Sequence, residues 1–138
     1  MPPIAEVRTD AAPAPVGPYS QAVIHDGLVY ASGQIPLDPA TGEIKGDDVE
    51  TQTHQVVANL RAVLEAAGSG LRHAIKVTIY LADMGDFPKV NAIYAEAFDG
   101  DPAPARATVQ APITPTCNAL KKAALRSEAS LSRNKHFV

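Results

Sequence analysis

The chain of 138 residues is 46% hydrophobic and 20% charged, which suits one globular domain and excludes a disordered polymer. Its apolar runs are too short to span a membrane, and the opening MPPIAEVRTDAAPAP has neither the basic nor the apolar region of a secretory signal. A single cysteine, Cys117, rules out an intrachain disulfide framework, so a reducing, cytoplasmic compartment is the expectation.

The net charge of −3 is divided unevenly. Residues 1–111 carry seven Lys/Arg against fourteen Asp/Glu, whereas residues 112–138 carry five against Glu128 alone. An acidic body of −7 therefore bears a basic tail of +4.

Residues 1–16, rich in Pro and Ala, read as an extended lead-in. Tyr19–Ile24 and Leu28–Ser32 are β-prone runs on either side of His25-Asp26-Gly27, and Asp-Gly supplies the positive φ angles of a tight hairpin. Residues 36–46 read as a loop with at most a short strand at Glu43-Ile44. A helix begins at Asp47 or Asp48, since Val56, Val57, Leu60, Val63, Leu64 and Ala67 share one face at helical spacing, and Gly68 suits its C-terminal cap. Ile75, Val77, Ile79 and Leu81 alternate as in a half-buried strand. A second helix runs from Asp86 to Phe98, with Asp86 as cap, Pro88 in the first turn, and Phe87, Val90, Tyr94, Ala97 and Phe98 as its buried stripe. Gly100 ends it, and residues 106–110 form a further strand. The order β-β-(β)-α-β-α-β calls for crossover connections and a sheet covered on one face by two helices. Nothing strongly helical remains before residue 112 to cover the other face, which makes it an expected oligomer contact.

The residues offer few ready-made chemistries. His25, His54, His73 and His136 are scattered without metal-ligand spacing, and no phosphate-cradling glycine motif or nucleophile elbow occurs. Cys117 has no histidine near it in sequence. Ser32-Gly33-Gln34-Ile35-Pro36 is a strand running into Gly and Pro; the bend either frees backbone N–H groups for an anion, with Ser32 adding a donor, or simply ends the strand. Arg106 is the one basic residue between Lys89 and Lys121. Its guanidinium either grips a carboxylate through two parallel hydrogen bonds or balances Asp99 and Asp101 at the surface.

Taken together, Gly17-Pro18-Tyr19-Ser20-Gln21-Ala22, Ala31-Ser32-Gly33-Gln34-Ile35-Pro36, Asn59-Leu60, Leu64-Glu65-Ala66-Ala67-Gly68, Leu81-Ala82-Asp83-Met84, Val90-Asn91, Tyr94 and Pro104-Ala105-Arg106-Ala107-Thr108-Val109 resemble the RidA (YjgF-type) family over about residues 8–111. The resemblance implies a chorismate-mutase-like α+β fold, a mixed β-sheet with two helices on one face, spanning residues 1–138 as a single domain and assembled as a homotrimer with clefts between subunits. It implies hydrolysis of 2-imino or 2-enamino acids, such as 2-iminobutanoate, to 2-oxo acids and ammonia, with no cofactor and no metal. Arg106 would clamp the substrate carboxylate; Tyr19, Ser32, Gly33 and Asn91 match cleft-lining positions; and the Ala107 carbonyl matches one that orients water.

The resemblance stops after residue 111. Family members continue into a final strand bearing a water-activating glutamate, whereas counting on from Arg106 places Lys121 near that position. Asn118 to Leu131 instead looks helix-prone, which would leave a sheet edge unpaired and weaken catalysis. Two other functions compete: a non-catalytic binder of small carboxylates, and an RNA-binding or endoribonuclease protein drawing on the +4 tail. The acidic body and the absence of interleaved aromatics argue against nucleic acid.

Overall fold

A computed structural model describes residues 3–111, together with the backbone of Ala123–Ala124 and Ser130–Ser132. The hairpin forms where Asp-Gly requires it: β2 (Ala22–His25) and β3 (Leu28–Ala31) pair antiparallel, with Asp26 at φ 49° and Gly27 at φ 74°. Positive φ at both central residues is the geometry whose twist matches the flanking strands. The lead-in is not wholly irregular, because β1 (Ala5–Val7) adds antiparallel to β2, from Ala5↔Ile24 to Val7↔Ala22.

The first helix, α1 (Val49–Ala66), is fixed at both ends by local chemistry. The Asp48 carboxylate accepts from the Thr51 backbone N–H at 2.8 Å, satisfying one of the unpaired amides of the first turn. At the other end Gly68 adopts φ 76°, Gly68 N donates to Glu65 O and Ser69 N donates to Leu64 O. That pair of bonds is the Schellman closure, and it needs a residue tolerant of the left-handed conformation. The apolar face is buried as its spacing requires, with Val63 and Leu64 at 0% exposure and Val56 at 1%.

Strand β4 (Lys76–Leu81) buries Val77, Ile79 and Leu81 and leaves alternate residues outward. Ile75, expected to join this series, lies before the strand and is 47% exposed. It follows the short turn of helix at Leu71–His73, so the alternation starts one residue pair later. The second helix, α2 (Phe87–Ala97), carries Pro88 in its first turn and buries Val90, Ile93 and Tyr94, with Phe98 following at its cap. Asp86 occupies the cap position but makes no side-chain cap bond there; Asp83 instead caps the preceding turn through Gly85 N. Strand β5 (Ala105–Gln110) runs parallel to β4 from Lys76↔Ala105 to Leu81↔Gln110, so β4–α2–β5 is the expected crossover.

The short strands β6 (Ala123–Ala124) and β7 (Ser130–Ser132) pair antiparallel with β4 and β3 respectively. These residues fall within the stretch expected to be helical, and the expectation fails there because two open sheet edges offer hydrogen bonds that a free helix would leave unpaired. The remainder of 112–138, including Cys117, Lys121 and Glu128, lies outside the described residues. Two sheets result, β1-β2-β3-β7 and β5-β4-β6, with α1 and α2 packed on each other and on the core. This is the α+β arrangement of the chorismate-mutase-like fold. On the side away from the helices lie Tyr30, 47% exposed, and Val109, 41% exposed.

Candidate functional site

Strand register decides where Arg106 points. Paired residues of a parallel ladder project to the same face, and Arg106 pairs with the fully buried Val77, so its side chain leaves β5 on the helical side. Among the described residues β5 is an edge strand, so the guanidinium is at once against α2 and exposed to solvent. There Arg106 Nη1 donates to Asn91 Oδ1 at 2.6 Å. The guanidinium carbon lies 4.7 Å from the Tyr94 ring centroid and 5.4 Å from that of Phe87, both within cation–π range. No acid neutralises it: among the described residues the ion pairs are Arg8–Glu6, Lys45–Asp38 and Lys89–Glu50. The alternative of a surface arginine balancing Asp99 and Asp101 is therefore not what the chain builds.

Phe87, Asn91 and Tyr94 sit four and three residues apart, one face of α2. Tyr94 is buried at 7% exposure and stacks on Phe98 with centroids 4.4 Å apart. Burial pushes its phenol pKa up, opposed in part by the nearby Arg106 charge, so the ring stays neutral.

The other expected residues gather on a different surface. Tyr19, half-exposed, and Gly33 line a cavity of about 30 Å³ with Pro13, Gln21, Gln34 and Ile35. The Tyr19 hydroxyl accepts from Val16 N at 3.4 Å. Ser32 lies beside this cavity, but its hydroxyl donates to Ser20 O at 2.6 Å, so the extra donor expected of it is already used within the chain. Its oxygen keeps acceptor capacity. A larger cavity of about 260 Å³ near Arg72, His73 and Asp101 contains none of the expected residues.

Ala107 is half-buried in β5. Ala105 N donates to Ile75 O and Ala111 N to Leu81 O, so the odd-numbered residues of β5 turn their peptide groups toward β4. In a parallel ladder the N–H and C=O of such a residue are both engaged, and those of the intervening residues face outward. The carbonyl on the open edge next to Arg106 is thus that of Thr108, not of Ala107.

Two groups result: Arg106 with Asn91, and Tyr19 with Ser32 and Gly33. Among the described residues no hydrogen bond, ion pair or ring contact joins them. Two buried amides missing from the expected set hold the second group in shape. Gln21, 3% exposed, accepts from Thr9 N and donates to Thr9 O, Ala12 O and Pro13 O. Asn59, 1% exposed, donates to Ile35 O and Leu37 O. A polar residue at core spacing beside Val56, Leu60 and Val63, as Asn59 is, is the available signal. Phe87 and Tyr94 read only as core, although their spacing from Asn91 marks one helix face. Among the described residues no group of three His, Cys, Asp or Glu side chains could hold a metal ion, and no helix is long and apolar enough to cross a membrane.

Two helices packed with two sheets, and an exposed edge-strand arginine that no described acid pairs, define a small α+β protein of the chorismate-mutase-like class. The chain belongs to the family described as Endoribonuclease L-PSP, whose model matches residues 9–120. It is 52% identical over 104 residues to a RutC family protein of Pyrococcus horikoshii, covering 75% of this chain and 82% of that one. It is 46% identical over 109 residues to the chloroplastic Reactive Intermediate Deaminase A of Arabidopsis thaliana, covering 79% of this chain and 58% of that protein. Its fold matches the crystal structure of E. coli TdcF with bound serine at a TM-score of 0.81 and 37% identity, over 94% of this chain and 98% of the other. The family thus includes proteins named as deaminases and as endoribonucleases.

Proposed function

We propose that the chain hydrolyses 2-imino and 2-enamino acids to 2-oxo acids and ammonia in a reducing, cytoplasmic-type compartment. The observation that carries this reading is the Arg106 guanidinium, exposed, free of any described acid, and held by Asn91 and two rings. Such a fork binds a planar carboxylate through two charge-assisted bonds. Gripping the carboxylate fixes the adjacent C=N carbon. Water adds to that carbon, the nitrogen takes up protons, and the resulting carbinolamine expels ammonia as its hydroxyl becomes the ketone oxygen. The edge-facing carbonyl of Thr108 suits the task of accepting a hydrogen bond from that water better than the ladder-bonded carbonyl of Ala107. Tyr19, Ser32 and Gly33 contribute the opposing wall.

A cavity of about 30 Å³ is well below the ~300 Å³ that small-molecule sites usually need. That supports a cleft completed by a second copy of the chain, as in a homotrimer, with Arg106 and Asn91 facing the partner's Tyr19 wall. Purified protein is to be given 2-iminobutanoate generated in situ, with 2-oxobutanoate and ammonia followed. Turnover is expected from wild type. Arg106→Lys keeps the charge but loses the fork, and is expected to fall by about tenfold or more; Arg106→Ala falls further. An Arg106→Ala protein with full turnover refutes the clamp. Stabilisation by 2-oxobutanoate without turnover would identify a carboxylate-binding protein, and cleavage of single-stranded RNA an endoribonuclease.

A further inference from the structure

We propose that Tyr94 is a positioning residue for Arg106, its ring face fixing the guanidinium so that the free edge of the fork meets a substrate carboxylate. The inference rests on the clamp reading above, but it has a readout of its own.

An arginine on an exposed edge strand has a long side chain with many rotamers, and nothing in the strand itself selects one. Here α2 does the selecting from three sides of one helix face. Asn91 Oδ1 takes one Nη1 hydrogen at 2.6 Å, and the Tyr94 and Phe87 rings lie 4.7 and 5.4 Å from the guanidinium carbon. Tyr94 is the firmer of the two rings. It is 7% exposed, whereas Phe87 is only partly buried, and its stack on Phe98, 20° from parallel, prevents it from turning away. Its hydroxyl has no hydrogen-bond partner among the described residues. The function of the side chain toward Arg106 therefore resides in the ring and not in the phenol oxygen. A ring face attracts the cation without consuming any of its N–H donors, so the fork is oriented while the donors not bonded to Asn91 stay available.

The test compares wild type with Tyr94→Phe and Tyr94→Leu in the full chain, with Tyr94→Met replacing Leu if the latter does not fold. Arg106 side-chain proton and nitrogen resonances, assigned through Arg106→Lys, report the ring directly. They are expected to be ring-current shifted in wild type and Tyr94→Phe, and to relax toward ordinary arginine values in Tyr94→Leu. In parallel, kcat/KM for 2-iminobutanoate is expected to be unchanged in Tyr94→Phe and reduced about two- to five-fold in Tyr94→Leu, the range a solvent-exposed cation–π contact supports. Arg106 resonances that do not move in Tyr94→Leu overturn the proposal, even if activity falls. A Tyr94→Phe protein as impaired as Tyr94→Leu also overturns it, because the hydroxyl would then be the operative group. If wild type neither turns over nor binds 2-oxobutanoate, the clamp reading fails, and the Arg106 resonances still decide whether Tyr94 orients that side chain.

Discussion

Replacing Asn59 by leucine is expected to destabilise the protein by about 2 to 3 kcal/mol through a loop more than twenty residues away in sequence. Asn59 Nδ2 donates to Ile35 O at 3.1 Å and Leu37 O at 2.8 Å, and Gln55 Nε2 donates to Asn59 Oδ1 at 2.8 Å. Leucine has nearly the same shape but no donor, so both carbonyls are stranded. A stranded buried group costs about 1 to 3 kcal/mol, and since these bonds are only partly buried the lower half of that range applies to each. Fresh apolar burial of the leucine offsets a fraction. For a chain of this length the midpoint should drop by roughly 6 to 12 °C. Asn59→Asp sharpens the point. Its carboxylate would face two carbonyls in a buried site, which raises its folded pKa above the unfolded value. Such an acid is least tolerated well above that pKa, and its deficit relative to wild type shrinks as pH falls, when the protonated acid can donate one bond again. Urea unfolding followed by far-ultraviolet circular dichroism, at fixed protein concentration and at pH 7 and 5, measures both effects. An Asn59→Leu protein within about 0.5 kcal/mol of wild type refutes the account, as does an Asn59→Asp deficit that does not change with pH.

At the start of α1, hydrogen bonds from the Thr51 side chain and backbone hold the Asp48 carboxyl below its ordinary value of 3.8. A depressed acid stabilises above its unfolded pKa and loses that contribution as pH falls through the folded one. The thermal-midpoint advantage of wild type over Asp48→Ala should therefore be full at pH 6 and shrink as pH falls through the carboxyl's lowered folded pKa, whereas that of Asp48→Asn over Asp48→Ala stays level. Gly100→Ala drives its Cβ into the Arg72 carbonyl oxygen, and because that atom belongs to the backbone no rotamer change relieves it; a cost of about 1 to 3 kcal/mol is expected in thermal melts. Gly70→Ala is the control, since nothing lies within 4 Å of its new Cβ and its backbone is extended, and it should be neutral.

The elements legible in the sequence are those whose signals are local. Asp26-Gly27 carries its own turn geometry, and α1 carries its cap, its apolar face and its terminal glycine within twenty-one residues. Strand β1 was not legible, because Ala5-Glu6-Val7 has no pattern of its own and becomes a strand only by lying against β2. The tail shows the same limit from the other side. Its helical propensity is genuine locally, yet Ala123–Ala124 and Ser130–Ser132 pair with β4 and β3, whose open edges no local reading of the tail contains. Within the site, Arg106 was recognisable as a residue type suited to a carboxylate, and Asn91 only as a cleft-lining position implied by the family resemblance. The role of Tyr94 was not, since burial is also what a core stripe predicts, and its contact with Arg106 depends on strand register.

That register couples the core to the site. Val77, Ile79 and Leu81 face the helices at 0%, 0% and 1% exposure, and pairing Val77 with Arg106 sends the guanidinium to the same side. A shift of β5 by one residue would turn Arg106 to the opposite face, away from Asn91, Phe87 and Tyr94, and would bring Ala107 to the helical side in its place. The ladder would keep most of its hydrogen bonds after such a slip, so backbone pairing alone does not discriminate strongly between the two alignments. What does discriminate is the set of contacts on α2: one charge-assisted hydrogen bond and two ring faces that only the observed alignment satisfies. The arginine is therefore part of what specifies the strand's alignment as well as the proposed carboxylate clamp. Arg106→Ala should consequently show slightly faster amide exchange along β5 in addition to lost binding, and an unchanged β5 would mean that the register is set elsewhere.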